Sequence, residues 1–169
     1  AHMLFGKLTI GIFDEYNEWF KCSETDVRAA IVSVRDEIEN IENRTETFSM
    51  RPEQVRAVQM TMGYYKKTNA EEPGVIPKFL WNAKMRFGKT FASYELAKKM
   101  GLKRILVLTF KPAVVSAWRE DLVSHVDFEG WQFVSNKDAH NNNVNIDQQF
   151  AMADKSRPIV VFGSFQDLL

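Results

Sequence analysis

Gly88-Lys89-Thr90, inside "WNAKMRFGKTF" (81–91), are the residues of this chain best suited to chemistry. A phosphate-gripping loop usually reads Gly, four residues, then Gly-Lys-Thr. Here Ala83 takes the first position, and Lys84, Met85, Arg86 and Phe87 fill the middle. Such a loop turns backbone N–H groups onto phosphate oxygens, which requires Gly88 where a Cβ would intrude. Lys89 would supply a mobile positive charge near the terminal phosphates. Thr90 would offer a small hydroxyl to magnesium. The N-terminus of a following helix adds partial positive charge. The plainer alternative is a chance Gly-Lys-Thr at a helix start, with the lysine merely solvated. Context is the test that separates the two.

That context is a strand before the loop and a helix after it. "KFLWN" (78–82) is a short apolar run of the kind that forms a buried parallel strand. "TFASYELAKKM" follows as a helix over 89–100, stopped by Gly101. Further on, strands are expected at 104–110, 130–135 and 158–165. A helix is expected at 112–126, and a polar loop leading into a short helix at 136–150. This alternation predicts an α/β fold, a parallel sheet with helices on both faces. Upstream, Pro52 suits the first position of a helix whose apolar stripe is Val55, Val58, Met62 and Tyr65. "TNAEEPG" (68–74) reads as a loop. Ser23 is a candidate N-cap, with Val27, Ala30, Ile31, Val34, Ile38 and Ile41 as one helical face. "KLTIGIF" (7–13) alternates like a strand. "ENRTETFSM" (42–50) reads as a polar connection. The expected organisation is a tag remnant at 1–3, a small α+β segment of unassigned role at 4–48, and an α/β unit at 49–169.

Composition excludes some classes and leaves others open. Hydrophobic residues make up 45% and charged residues 26%, a globular balance. Twenty-two basic residues face 22 acidic ones, so net charge gives no hint of nucleic acid. Any DNA contact must come from local placement. Cys22 stands alone, which excludes an internal disulfide and fits a reducing cytoplasm. No apolar run reaches the roughly 18–20 residues that span a membrane, and no signal peptide is visible.

The stretch around Gly88 resembles motif I of the superfamily 2 helicases and translocases. Many of these begin the loop with alanine and carry methionine where Met85 stands. Arg86 departs from the family, where most members have glycine. Three more segments resemble that family in order and spacing, so the likeness covers residues 51–169. "RPEQVRAV" (51–58) is similar to the adenine-reading Q motif, with Gln54 at the glutamine and Arg51 at the basic residue before it. A glutamine amide can pair with adenine's amino group and N7. The alternative for this stretch is a surface helix with polar residues outward. "LVLTFKPAVVSAWREDL" (106–122) resembles motif Ia, which implies that Thr109 and Lys111 touch the DNA backbone. Trp118, among Val114, Val115 and Leu122, reads as packing rather than base stacking. "VVFGSFQDLL" (160–169) resembles a segment of restriction-enzyme motors and implies backbone contacts from Ser164 and Gln166. A strand-end turn with polar caps explains the same residues.

The resemblance implies an incomplete RecA-like P-loop lobe using ATP and Mg2+. It implies duplex DNA as partner, with methylation or specificity subunits beside it. The family's Asp-Glu motif has no counterpart between Lys89 and Leu169, since Glu120-Asp121 falls mid-helix. "FDEY" (13–16) lies on the wrong side of the loop and is set aside. The expectation is a truncated first lobe that binds nucleotide weakly and does not turn it over. An upstream nuclease is left open. Two other readings stay open: a degenerate P-loop domain serving as nucleotide sensor or interaction scaffold, and a P-loop kinase. The Gln54 and motif Ia-like segments argue against the kinase.

Overall fold

The computed structural model describes residues 22–38, 40, 42–136 and 144–165. The expected strand at 7–13 and the residues Ile41 and Gln166 lie outside them. The chain divides into two units. One holds residues 1–48 with 123–129, and the other holds 49–122 with 130–169. The stretch 123–129 therefore joins the first unit, although its sequence position lies within the 49–169 segment.

In the first unit, α1 spans Glu24–Asp36. Ser23 caps it, accepting from Asp26 N–H, while the Asp26 carboxylate accepts from Ser23 N–H in return. These bonds hold the Asp26 carboxyl below its ordinary range. The buried face differs from the expected one. Ala29, Ala30, Val32 and Ser33 are buried, whereas Ile31 and Val34 are exposed and the helix stops before Ile38. Small side chains let the returning backbone approach closely. Ser33 donates to Ile38 O, and Asn40 donates to Ala29 O and Arg44 O. Further along, Thr45 and Glu46 N–H both donate to Ser124 O, and buried Arg44 donates to His125 O. His125 is itself buried, its Nε2 2.8 Å from Phe48 O.

In the second unit, α2 spans Pro52–Glu71 and starts at the expected proline. It absorbs four residues expected in the loop. Its most buried side chains are Gln54, Val58, Thr61 and Thr68, so the stripe is rotated, and Val55, Met62 and Tyr65 are half-buried. α3 spans Lys89–Lys99, and Gly101 follows it in a left-handed conformation (φ 67°). β1 spans Arg104–Thr109. A 3-10 turn at Pro112–Val114 leads into α4, Val115–Ser124. β2 is Gln132–Ser135, α5 is Ile146–Met152 and β3 is Ile159–Ser164.

The three strands form a parallel sheet in the order β1-β3-β2, flanked by helices. The fold is α/β, as the alternation of elements predicts. Central β3 is almost wholly buried, with Ile159, Val160 and Phe162 in the core beside Val134, Phe91, Tyr94 and Leu122. The two outer strands end differently. Beyond β2, the Gln149 amide accepts from Ser135 N–H and donates to Ser135 O, as a neighbouring strand would. β1 leaves Leu106 and Leu108 exposed.

The expected strand at 78–82 is not formed, which corrects the sequence reading. The segment has no ladder among the described residues. It is held by side chains on α2 instead: Trp81 Nε1 donates to Thr61 Oγ1 at 2.7 Å, and the Phe79 ring meets Tyr64 at 5.6 Å. An apolar run needs a partner backbone to become a strand, and aromatic packing alone leaves its N–H and C=O groups outside any sheet.

Candidate functional site

The loop at 83–88 connects that extended segment to α3. Phe87 N–H donates to Lys84 O at 3.3 Å, closing a turn. Arg86 (φ 61°) and Gly88 (φ 75°) both adopt the left-handed conformation. The resembling family mostly carries glycine where Arg86 stands, and the backbone gives the reason: only glycine enters this region without a steric cost. Arg86 bears that cost, about 1 kcal/mol. Gly88 is also the residue immediately before α3, so the helix starts without a side-chain cap. Its first-turn N–H groups face outward from the helix end, together with the dipole's positive pole.

Two side chains from the start of α2 grip this loop. The Arg51 guanidinium donates to Arg86 O at 2.8 Å and also to Phe87 O. Gln54 Nε2 donates to Phe87 O at 2.8 Å and to Gly88 O at 3.2 Å, while its Oε1 accepts from Arg51 N–H at 2.7 Å. Gln54 is only 4% exposed. Gly88 is needed here twice over, since a Cβ on it would fall 2.6 Å from Gln54 Nε2.

The structure thus gathers Arg51, Gln54 and the 83–90 segment at one place. Lys84, Met85, Arg86 and Lys89 are exposed, and Thr90 is half-buried on the first turn of α3. Lys89 Nζ donates to Lys84 O at 3.0 Å, folding the ammonium back over the loop. The Thr90 hydroxyl and the Arg86 guanidinium meet no partner among the described residues. A cleft of about 310 Å3 lies between α2 and the 79–87 segment, walled by Ala57, Met60, Trp81 and Phe87.

A second group sits at the C-terminal ends of β1 and β3. Thr109 and Ser164 are direct partners in the parallel register. Thr109 Oγ1 accepts from Lys111 N–H, and Lys111 is exposed. The Phe110 and Phe165 rings meet at 4.6 Å just beyond them. Ser164 is fully buried, so its hydroxyl does not stand on the surface. Trp118 packs edge-on to Tyr94 at 5.5 Å, and Tyr94 donates to Trp118 O. Burial and then nearby Asp121 push the Tyr94 phenol well above its ordinary pKa.

The grip of Arg51 and Gln54 on the loop was not apparent in the sequence as a structural role. The available signal was a glutamine three residues after a helix N-cap, a position from which a side chain can reach back to the backbone.

Over 124 residues, or 73% of its length, the chain is 35% identical to the Mycoplasma pneumoniae protein "Putative type II restriction enzyme and methyltransferase RM.MpnORF110P C-terminus". The chain spans 16% of that relative's length. No protein-family model and no solved structure matches it. The similarity ties the chain to restriction-modification proteins, the context that the family resemblance of its motifs implies. No helix among the described residues is long and apolar enough to cross a membrane.

Proposed function

We propose that the chain is the nucleotide-binding part of a DNA-dependent ATPase, a helicase-like translocase acting within a cytoplasmic restriction-modification protein. The observation that carries this reading is the loop at 83–90. It places left-handed Gly88, Lys89 and Thr90 at the start of α3 and is gripped from α2 by Arg51 and Gln54. The similarity to a protein named for restriction and methylation supports the wider context.

In this reading Lys89 swings from Lys84 O to the terminal phosphates of ATP, and the N–H groups of the loop and α3 receive phosphate oxygens. The uncommitted Thr90 hydroxyl fits a magnesium ligand, and Mg2+ bound there with the phosphates supplies charge neutralisation. Ala83, Lys84, Met85, Arg86 and Phe87 shape the cradle, with Lys84 and Arg86 adding positive charge. Phosphoryl transfer depends on positioning and electrostatics, and it also needs an oriented water and further charge. The loop, Lys89 and Thr90 supply the positioning and part of that charge in this reading. Thr109 and Lys111 face the duplex backbone in this reading, and the buried Ser164 hydroxyl takes no part in that contact. Methylation or specificity subunits complete the assembly.

The test is ATP hydrolysis by the full-length protein, with and without duplex DNA, beside its Lys89→Ala variant. DNA-stimulated turnover that the substitution abolishes is the expected result. No turnover with any DNA, from folded protein, overturns the motor. One observation favours a second reading, a degenerate P-loop domain acting as sensor or scaffold: the Lys89 ammonium and the Gln54 amide are satisfied by the loop's own carbonyls. That reading expects nucleotide binding without turnover in the full-length protein.

A further inference from the structure

We propose that Gln54 is a positioning residue of the phosphate loop, and that the site consequently selects its ligand by the triphosphate and not by the base. The inference rests on the nucleotide-binding reading above and assigns selectivity within it. A glutamine that reads adenine must offer Oε1 to the exocyclic amino group and Nε2 to N7 together. Neither atom is uncommitted here. Nε2 has two hydrogens, and they go to Phe87 O and Gly88 O. Oε1 accepts from Arg51 N–H. The side chain is also 4% exposed, so a base has no access to its amide edge.

The partners of Gln54 explain why it is buried. The Phe87 and Gly88 carbonyls belong to the last two loop residues before α3. Holding those carbonyls fixes the peptide planes whose N–H groups belong to Gly88 and Lys89, the groups a phosphate would meet. Arg51 duplicates the hold on Phe87 O and adds the carbonyl of left-handed Arg86. Glycine at 88 leaves just the space this amide occupies, since a Cβ would stand 2.6 Å from Nε2. Gln54 therefore transmits order from α2 to the loop, and every ligand that binds the loop through phosphate benefits alike.

The experiment uses wild-type chain, Gln54→Ala, and Gln54→Met, which keeps the side-chain volume without the amide. Circular dichroism selects folded material. Amide hydrogen exchange without ligand is read over 84–90, and affinities are then measured for ATP, GTP and inorganic tripolyphosphate. The expected result is faster exchange confined to the loop in both variants. Wild type should hold the three ligands within about tenfold of one another, and both variants should weaken all three by a common factor. Selective loss of ATP, with GTP and tripolyphosphate retained, makes Gln54 a base reader and overturns the proposal. Unchanged loop exchange overturns it too. A wild-type chain that binds none of the three overturns the nucleotide-binding reading and the selectivity with it, while the exchange result still reports separately on the grip.

Discussion

Two buried glutamines, Gln54 and Gln149, use the same amide chemistry for different ends. Each accepts one backbone N–H and donates to two carbonyls. Gln149 sits in α5 and finishes the sheet: its bonds to Ser135 N–H and O stand in for a missing neighbour of β2, and a third reaches Val144 O. Gln54 sits at the start of α2 and finishes no regular element. It adds a second hold on loop carbonyls that also accept from Arg51, at Phe87 O, and from Ala92 N–H, at Gly88 O. The first arrangement protects an edge, and the second shapes the approach to α3. The contrast teaches that burial of a glutamine says only that its amide is satisfied. What it satisfies decides whether the residue concerns stability or binding.

The largest expected effect on stability comes from Gln149→Ala. It leaves the buried Ser135 N–H and O and the part-buried Val144 O without their Gln149 partner. We expect a loss of about 2–4 kcal/mol in unfolding free energy, read by denaturant titration, with loop exchange over 84–90 unchanged. A comparable global loss in Gln54→Ala would break the contrast. The expectation there is a smaller one, about 1 kcal/mol, with the change concentrated in the loop.

Tyr94→Phe calibrates a single donation to a carbonyl. It removes the bond to Trp118 O and should cost about 1 kcal/mol at neutral pH. It also carries a pH signature. Folded Tyr94 keeps its proton above the ordinary value of 10.0, because burial disfavours the phenolate. Above pH 10 the unfolded chain binds fewer protons than the folded one, so this contribution is favourable to unfolding as pH rises and absent below. Wild type should therefore lose stability above pH 10 more steeply than Tyr94→Phe, as measured by melting across an alkaline series.

The smallest effect belongs to the first unit. Ser23→Ala removes the reciprocal cap with Asp26 and should cost about 0.5–1 kcal/mol. Asp26, held low by Ser23, contributes above its ordinary value of 3.8 and loses that contribution on acidification. The variant should flatten the acid limb of the stability profile. Neither glutamine readout should move. If loop exchange at 84–90 responds to Ser23→Ala, the grip is not local to α2 and the contrast needs redrawing.

Much of the architecture was legible in the residues. Pro52, Ser23 and Gly101 mark helix ends because their effect is local: a fixed φ, a hydroxyl cap and a left-handed stop. "RILVLT" and "IVVFGS" read as strands because apolar residues in such runs bury well in a sheet, and they pair directly with each other. "KFLWN" has the same composition and forms no ladder, since a strand also requires a neighbour that composition cannot supply. The faces of α1 and α2 were misjudged for a related reason. Hydrophobic periodicity marks large apolar side chains, whereas the close-packed faces use Ala29, Ala30, Ser33 and Thr61, whose small size admits backbone and indole partners.

The sequence by itself determined which residue types the loop carries, a glycine before a lysine and a threonine at a helix start, and a parallel α/β order around it. It also determined that residue 86 would bear a side chain. Only the tertiary structure decided that residue 86 must be left-handed, that Ser164 is buried beside Thr109, and that the Gln54 amide faces the loop. These depend on which backbone groups meet across 30 or more intervening residues, as Gln54 meets Phe87 and Gly88. A hydrogen bond is specific only once both partners have been brought within about 3 Å, and local sequence does not carry that distance.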